Sequence, residues 1–252
     1  MAISIMKNHL STMFFGIKNR DQFFGGMQAA IGALQPSGIF TGDNLFTFNR
    51  NLSFLTDEKF VKATEAHITN EDVERAIMWR THVAVWAAQN GLRREGDFAE
   101  CGCYKGYTAR VICDYVDFNS INKSFYLYDL FEHDASMNHH AMDEHSAELL
   151  GKVKARFTDF PKVHVIQGAV PESFSQGAPE KISFLHIDMN NADAEVGALE
   201  QLFDRVVDGA VILFDDYGWL GYREQKVAED AFMAARGYQI VELPTGQGMV
   251  IK

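Results

Sequence analysis

From Asp97 onward the sequence alternates short apolar runs with stretches of helical spacing, and this alternation restricts the fold more than any other feature. The runs lie at residues 97–100, 124–129, 162–167, 182–188, 210–214, 239–243 and 249–251. Strands separated by helices form βαβ units and hence a parallel sheet. The segment PTGQG between the last two runs is too short for a crossover helix, so these strands should form an antiparallel hairpin. The sequence therefore predicts an α/β fold with a mostly parallel seven-stranded sheet and helices on both faces.

Helical signals begin before the first of these strands. Thr69 and Asn70 are residue types that cap helix N-termini, acidic residues follow them, and Gly91 marks a stop, which predicts a helix near 71–90. Residues 107–116 and 194–207 also have helical spacing. The first 56 residues show no sustained period. We expect an N-terminal extension or lid over 1–69 and one domain over 70–252.

Composition and charge exclude several classes of protein. The chain has 252 residues and a net charge of −11, and a surface of this sign repels nucleic acids and anionic membranes. No apolar run approaches the length of about 18–20 residues that spans a bilayer, and the opening segment is interpreted as an arm rather than a cleaved leader. Three cysteines without a CxxC pair indicate a reducing compartment. We expect a cytoplasmic protein with a small-molecule partner.

A glycine-rich turn, ECGCYKG (100–106), ends the first strand of the sheet and leads into a helix. In doubly wound folds such a turn lets the backbone approach a ligand at the carboxyl edge of the sheet. Its spacing differs from the GxGxxG pattern that binds a pyrophosphate, so a phosphate-free ligand fits better, although a glycine after a strand is often only a turn. Candidate cofactor-binding residues here are Glu100, Gly102, Tyr104, Gly106 and Thr108, and Asp188 after the fourth strand is a further candidate.

Asp129 ends the second strand, 23 residues past Gly106. An acid at this place can accept hydrogen bonds from both hydroxyls of a ribose, which predicts an adenosine-containing ligand. The alternative is an Asp that caps a helix. Gly168 and Ala169 follow the third strand, where an adenine edge would lie, although plain turn chemistry explains this glycine equally well.

Three acids, Asp188, Asp215 and Asp216, follow the fourth and fifth strands. If these strands are neighbours, the carboxylates converge on one crevice and need a cation to remain ionised together. Oxygen ligands of this kind select Mg²⁺, or Mn²⁺ or Ca²⁺, over zinc. The rival interpretation is that one acid caps a helix and another accepts a proton without a metal.

Histidines supply further candidates. His186 and Asp188 form an HxD pattern whose side chains share one strand face, so we expect His186 to support the site from behind. The His-rich stretch 132–145 lacks a zinc-binding spacing. It is interpreted as an active-site loop in which His139 or His140 supplies a base.

Taken together, the segments ECGCYKG, YLYDL, IDMN, GAVILFDDYGW and PTGQG resemble class I S-adenosylmethionine-dependent methyltransferases, specifically the macrocin O-methyltransferase (TylF-type) family. The resemblance covers about residues 70–252. It implies a Rossmann-like sheet with the last strand inserted antiparallel, and magnesium-assisted methylation of a sugar hydroxyl. The metal positions then match Asp188, Asp215 and Asp216, and the cofactor positions match Glu100, Gly102, Gly106 and Asp129. The N-terminal segment and the His-rich loop match no family pattern, so the macrolide substrate is not carried over.

The resulting hypothesis is in-line transfer of the sulfonium methyl group to a hydroxyl of a sugar or a sugar-containing small molecule. The cation would orient a diol and lower the pKa of its hydroxyl, and Asp188, His139 or His140 would accept the proton. Alternatives are a catechol-like or other small diol as acceptor, or a protein that binds an adenosyl ligand without catalysis. A nicotinamide enzyme is the weakest rival because GxGxxG is missing. The aromatic-rich N-terminal segment should cover the acceptor or mediate self-association, so a homo-oligomer is expected.

Overall fold

The computed structural model describes residues 7–35, 37–69, 71–134, 137 and 141–252. They belong to two compact units, one that ends at His82 and one that runs from Val83 to Lys252. The division falls 13 residues after the boundary at residue 69 that we expected from the sequence. Within the described residues, no helix combines the length and the apolar character needed to cross a bilayer.

The first unit contains regular elements that the sequence pattern did not predict. These are β1 (His9–Leu10), α1 (Arg20–Gly32), β2 (Phe40–Gly42), β3 (Leu45–Thr47) and α2 (Glu58–Glu65). α3 (Glu71–Ala76) follows them, and α4 (Met78–Gly91) begins here. The strands form a sheet in which β2 pairs with β1 in parallel and with β3 in antiparallel orientation. Strands of two or three residues are too short to show an alternating period. The helix expected over 71–90 is divided into α3 and α4.

An aromatic cluster forms the core of this unit. The Phe40 ring meets Phe54 and Trp79 edge to face, with centroids 6.2 and 5.1 Å away, and Phe60 packs on Phe54. Such edge-to-face pairs bring the positive ring edge onto the negative ring face. Other phenylalanines of this unit lie at the surface, since Phe48 is 55% exposed.

The second unit carries the predicted sheet. Its elements are α4 from Val83 onward, β4 (Asp97–Cys101), α5 (Tyr107–Val116), β5 (Phe125–Asp129), α6 (Leu149–Arg156), β6 (Val163–Gln167), β7 (Ile182–Ile187), α7 (Ala192–Leu202), β8 (Val206–Phe214), α8 (Arg223–Ala234), β9 (Val241–Glu242) and β10 (Gly248–Ile251). The strand order is β6-β5-β4-β7-β8-β10-β9. All pairs are parallel except those of β10, which is antiparallel to β8 and β9. The predicted fold class and the terminal hairpin are confirmed.

The burial of the central strands explains their composition. Every residue of β7 is buried, as expected for a parallel strand covered by helices on both faces, and its sequence is correspondingly apolar. α7 ends at Leu202, earlier than expected, because a short 3₁₀ turn follows it and β8 begins at Val206.

The strand order also locates the edge of the sheet at which doubly wound folds bind ligands. From β4 the chain moves outward through β5 and β6, and it then returns to the other side of β4 with β7 and β8. The topological switch point therefore lies between β4 and β7, and ligands of doubly wound folds bind at the carboxyl ends of the strands on either side of it.

A buried ion pair in the first unit gives a test of its stability. The Arg80 guanidinium donates to both oxygens of Asp43, with Nη2 2.8 Å from Oδ1, and both side chains are buried. We expect Asp43→Asn to lower the free energy of unfolding by about 3–5 kcal/mol, because it takes a charged, doubly hydrogen-bonded partner away from a buried guanidinium. Chemical denaturation measures this.

The control is Glu65→Gln. It disrupts a similar ion pair, in which Arg75 donates two hydrogen bonds to Glu65 and both side chains are exposed. An exposed pair contributes about 0–1 kcal/mol. Equal effects of the two substitutions would contradict the prediction.

Candidate active site

Backbone pairing brings Asp188 and Asp215 to one place. Asp188 directly follows β7 and Asp215 directly follows β8, and the final residues of these two strands, Ile187 and Phe214, are register partners. The pairing continues past the strand ends, since the Asp215 N–H donates to the Ile187 carbonyl at 2.9 Å and the Asp188 N–H donates to the Cys101 carbonyl at 2.8 Å. The predicted neighbourhood of the two strands is therefore correct.

A group of potential metal ligands results. One ligand atom each from His186, Asp188 and Asp215 lies within 4.8 Å of the others. Asp216 is not a member of this group among the described residues, but its negative charge acts on the Asp188 carboxyl. The structure thus joins two of the three predicted ligands directly and adds a histidine.

The electrostatics of the group favour a positive charge. Burial raises the pKa of Asp188 well above its ordinary value, and the negative charges of Asp215 and Asp216 raise it further, while His186 opposes them. Carboxylates this close repel each other, and either a proton or a cation relieves the repulsion. The site can therefore take up a proton or bind a divalent cation.

His186 is held by a second acid, Glu100. These two residues are register partners on the adjacent strands β7 and β4, so their side chains share one face of the sheet. The His186 Nδ1 atom lies 2.8 Å from Glu100 Oε1, and Nε2 lies 3.6 Å from Asp215 Oδ1. Burial lowers the pKa of His186, but the carboxylates of Asp215 and Glu100 outweigh it and raise the pKa well above the usual value. The side chain therefore carries positive charge behind Asp215.

Glu100 was predicted to contact a cofactor, and the structure gives it a further partner that the sequence did not suggest. Both side chains of the Glu100–His186 pair are buried, and within the described part of the chain Glu100 Oε2 and His186 Nε2 have no hydrogen-bond partner. Buried polar atoms of this kind are rare and call for an explanation such as a ligand or an ion.

The terminal hairpin adds a contact that sequence reasoning missed. Gln247, at the turn before β10, is fully buried and donates from Nε2 to Asp215 Oδ1 at 2.9 Å. The Thr245 hydroxyl donates to Gln247 Oε1 at 2.9 Å, which fixes the orientation of the amide. The segment PTGQG therefore orients Asp215 as well as reversing the chain. The sequence feature that could have revealed this contact is a polar residue, Gln247, between two glycines at the start of a buried strand.

The glycine turn after β4 packs against the Asp188 segment. Gly102 has a φ of +91°, and a Cβ atom placed on it would lie 1.8 Å from the Asp188 carbonyl oxygen. Glycine is thus required here by the close approach of two backbone segments, which differs from the ligand approach that we assumed. The turn and Asp188 are consequently fixed relative to each other.

Asp129 is held by the same turn. Its Oδ2 accepts from the Tyr104 N–H and its Oδ1 accepts from the Phe131 N–H, both at 2.7 Å. Burial raises the pKa of Asp129, although these backbone bonds and nearby His145 oppose the effect. A carboxylate offers about four acceptor positions, so acceptor capacity remains for a ligand hydroxyl.

The remaining predicted cofactor residues lie around the same edge. The Gly168 N–H donates to the Asp129 carbonyl at 2.9 Å, and Ala169 follows it. Gly106 is the N-cap of α5, and Thr108 lies half-buried in the first turn of that helix. A Cβ atom on Gly106 would lie 2.7 Å from the Phe157 ring, so helix packing also requires this glycine.

His139 and His140, the predicted bases of the loop after β5, lie outside the described residues. Closer to the sheet, the same loop places His145 Nε2 3.9 Å from Asp129 Oδ1 and its ring 5.6 Å from the Tyr104 ring. The described part of the loop is thus linked to the glycine turn.

Comparisons with known proteins agree with this geometry. Residues 99–217 match the model of a protein family described as a methyltransferase domain. Comparison of the sequence with curated proteins gives no match.

Several solved structures share the fold. The O-methyltransferase NovP has a TM-score of 0.57 at 16% identity, over 71% of this chain and 81% of its own. The calicheamicin methyltransferase CalS11 has a TM-score of 0.55 at 15% identity, over 86% of this chain and 99% of its own. A putative caffeoyl-CoA O-methyltransferase from Staphylococcus aureus has a TM-score of 0.52 at 12% identity, over 79% of this chain and 92% of its own. The shared fold is the Rossmann-like fold of class I methyltransferases, and with the family match it supports the predicted enzyme class.

The close approach at Gly102 can be tested. We expect Gly102→Ala to lower the free energy of unfolding by about 3 kcal/mol or more, because the new methyl group combines a left-handed backbone with a clash on the Asp188 carbonyl. Thermal and chemical denaturation measure the loss.

Gly221→Ala is the matched control, since nothing lies within 4 Å of a Cβ atom at that position. It should change stability by less than about 0.5 kcal/mol. A Gly102→Ala variant as stable as this control would show that the two segments are not in contact.

Proposed function

We propose that this protein is an S-adenosylmethionine-dependent O-methyltransferase of the macrocin (TylF-type) family that methylates a hydroxyl of a sugar or sugar-containing small molecule with the help of Mg²⁺, or of Mn²⁺ or Ca²⁺. The observation that carries the proposal is the convergence of Asp188 and Asp215 on the sheet edge that also holds the glycine turn and Asp129. The similar structures support the acceptor class, because one CalS11 structure is described as a TDP-rhamnose 3'-O-methyltransferase.

The residues present fit a divalent cation. Asp188 and Asp215 offer carboxylate oxygens, which Mg²⁺ prefers, and Asp216 adds negative charge beside them. We assign the metal to Asp188, Asp215 and Asp216. We place His186 beside Asp215 as a support, with its ring held by Glu100.

The residues also fit an adenosyl cofactor. We assign the ribose hydroxyls to Asp129 and the methionine part to the side of Glu100 and Gly102. The adenine is assigned to Gly168 and Ala169. The remaining residues that would line the cofactor site are Tyr104, Gly106 and Thr108. The buried Glu100 Oε2, which has no hydrogen-bond partner, is a ready acceptor for a ligand donor on this side.

The chemistry requires alignment and removal of a proton. S-adenosylmethionine would supply the methyl group and the cation would supply positive charge at the acceptor oxygen. In the transfer a carbon–oxygen bond forms as the carbon–sulfur bond breaks, and the hydroxyl proton must leave. Asp188 is the first candidate to accept that proton because its carboxylate lies in the group of acids at this sheet edge. His139 and His140 remain alternative bases.

A catechol-like or other small diol is the second candidate acceptor. The same carboxylate pair suits any vicinal diol, and the similarity to the putative caffeoyl-CoA O-methyltransferase favours keeping it. Methyl transfer from labelled S-adenosylmethionine to a panel of nucleotide sugars, glycosides and catechols distinguishes the classes. Cofactor binding without transfer to any of them would favour the non-catalytic alternative.

Three further expectations complete the proposal. The three cysteines are buried free thiols, in keeping with a cytoplasmic protein. We propose that the first unit, with exposed Phe15 and Phe48, serves acceptor binding or self-association in a homo-oligomer. The catalytic domain would then cover the later part of the chain, from about residue 70.

The metal assignment predicts the effect of single substitutions. Asp188→Asn and Asp215→Asn should each reduce turnover at least about a hundredfold and weaken Mn²⁺ binding, because each removes a charged oxygen ligand. Both should retain S-adenosylhomocysteine binding. Electron paramagnetic resonance with Mn²⁺ and calorimetry with the cofactor product measure the two bindings separately.

Asp208→Asn is the control, since Asp208 is exposed on β8 and should leave both bindings unchanged. Full turnover by the Asp215→Asn variant would rule out the metal assignment.

The ribose assignment predicts that Asp129→Asn weakens S-adenosylhomocysteine binding by about tenfold or more, as expected for loss of a hydrogen bond to a charged acceptor. An amide keeps one oxygen to accept a backbone N–H, so the turn should remain folded, which circular dichroism checks. Calorimetry gives the affinity, and a value within twofold of the unmodified protein would contradict the assignment.

A further inference from the structure

Two buried acids lie outside the proposed site and have no role in it. Glu195 in α7 and Glu229 in α8 are only 1% and 2% exposed, and Gln225, one turn before Glu229, is 5% exposed. Charged side chains are almost never buried to this extent unless they are paired. Their burial between two packed helices therefore requires an explanation.

Glu195 holds the turn that follows Asp188. Its Oε1 accepts from the Met189 N–H at 3.1 Å and from Gln225 Nε2 at 2.7 Å, and the Asn190 N–H also bonds to the carboxylate. Asn190 has a left-handed backbone with a φ of +54°, a conformation that persists only where the surroundings hold it. The carboxylate of Glu195 thus fixes the backbone directly after Asp188.

Glu229 meets Glu195 from the neighbouring helix. The Glu229 carboxyl lies close enough to that of Glu195 for each to act on the other. The Oε2 atoms of both are buried, and neither has a hydrogen-bond partner among the described residues. Ionised carboxylates only accept hydrogen bonds, so two of them packed together in this way need a proton on one. A proton between the carboxyls would also satisfy oxygens that are otherwise without a donor.

The charges around the pair favour Glu229 as the residue that carries the proton. Burial and the negative charge of Glu195 raise the pKa of Glu229 to about 10, with Asp230 adding to the effect and Lys226 opposing it. Burial also raises the pKa of Glu195, but Glu229 and the hydrogen bonds from Met189 and Gln225 oppose this. Burial raises the pKa of the Cys101 thiol on β4, and the negative charge of Glu195 adds to the effect, so this thiol stays neutral.

We propose that Glu195 and Glu229 share one proton and act together as positioning residues that hold the Asp188–Asn190 turn against α8. α7 follows the Asp188 turn and α8 follows the Asp215–Asp216 segment, so the shared proton links the two chain segments that bear the site's acids. The link itself is independent of the proposed function, and only its consequence for metal binding rests on that function.

The first experiment measures stability against pH for the full chain and its Glu229→Gln variant, in which the amide donates permanently as the protonated acid does. Between pH 5 and 9 the folded protein holds a proton on Glu229 that the unfolded chain has lost, so stability falls as pH rises. Relative to Glu229→Gln, the folding equilibrium constant of the unmodified protein should fall by up to about tenfold per pH unit.

Glu224→Gln is the control for this measurement, because it makes the same change at an exposed position of α8. Its stability curve should run parallel to that of the unmodified protein. A parallel curve for Glu229→Gln as well would overturn the shared proton.

The second experiment follows hydrogen exchange at the Met189 and Asn190 amides. Glu229→Gln should keep their protection, whereas Glu229→Leu, which removes the donor, should reduce protection at least about tenfold while most of the sheet is unaffected. Unchanged protection in Glu229→Leu would overturn the positioning role. If Glu229→Leu does not fold, the stability of Glu195→Gln measured against pH takes its place. Glu195→Gln also removes the need for the proton, so its stability should depend less on pH than that of the unmodified protein. An unchanged pH dependence would overturn the shared proton.

Mn²⁺ binding then connects the pair to the proposed site. Glu229→Gln should bind Mn²⁺ within about twofold of the unmodified protein, and Glu229→Leu at least about fivefold more weakly. Failure of the unmodified protein to bind Mn²⁺ would count against the proposed metal, while the pH and exchange results would still establish or overturn the shared proton.

Discussion

The crowding of negative charge at the ends of β7 and β8 is the constraint on which the site depends. Parallel pairing of these strands carries Asp188 and Asp215 to the same edge, and no rotation of the backbone can separate them without breaking the sheet. Repulsion between partly buried carboxylates is strong because water screens it poorly there. The surroundings must therefore supply compensating charge and donors.

That compensation comes from several directions. His186 brings positive charge from within β7, and Glu100 on β4 holds its ring in place. Gln247 donates from the terminal hairpin to Asp215, while Gly102 allows the glycine turn to rest on the Asp188 carbonyl. Each contact comes from a different strand or turn, so the acids are oriented by the sheet as a whole. This kind of support keeps reacting groups within the narrow tolerance that catalysis needs.

The sheet itself could be read from the sequence because its signals are local. Each strand is a short apolar run, each helix has one apolar face, and the turns contain glycine or asparagine. All seven predicted strands are present, and their ends coincide with the predicted ones or differ from them by up to four residues. The first unit could not be read in this way, since its strands hold two or three residues and its order depends on aromatic contacts such as Phe40 with Trp79.

Only those contacts of the site that follow from strand order alone could be predicted from the sequence. Asp188 and Asp215 follow neighbouring strands, so their proximity was expected. The pairing of Glu100 with His186 depends on the register between β4 and β7, and register across a crossover is not encoded in a local pattern. The contact of Gln247 depends likewise on where the hairpin turns. For Gly102 the residue was identified correctly as structurally special, but its physical reason is the approach of another backbone segment.

The position of β10 has a consequence for how the molecule assembles during synthesis. β10 is made after every other described strand, yet it lies between β8 and β9. While a nascent chain emerges from the ribosome, one edge of β8 stays unpaired and β9 has no neighbour until residues 248–251 appear. The amide of Gln247 reaches Asp215 in the same event, so a half-made chain has an open sheet edge and an unsupported acid. Protection of that edge by a chaperone would matter most in the interval before residues 248–251 can pair.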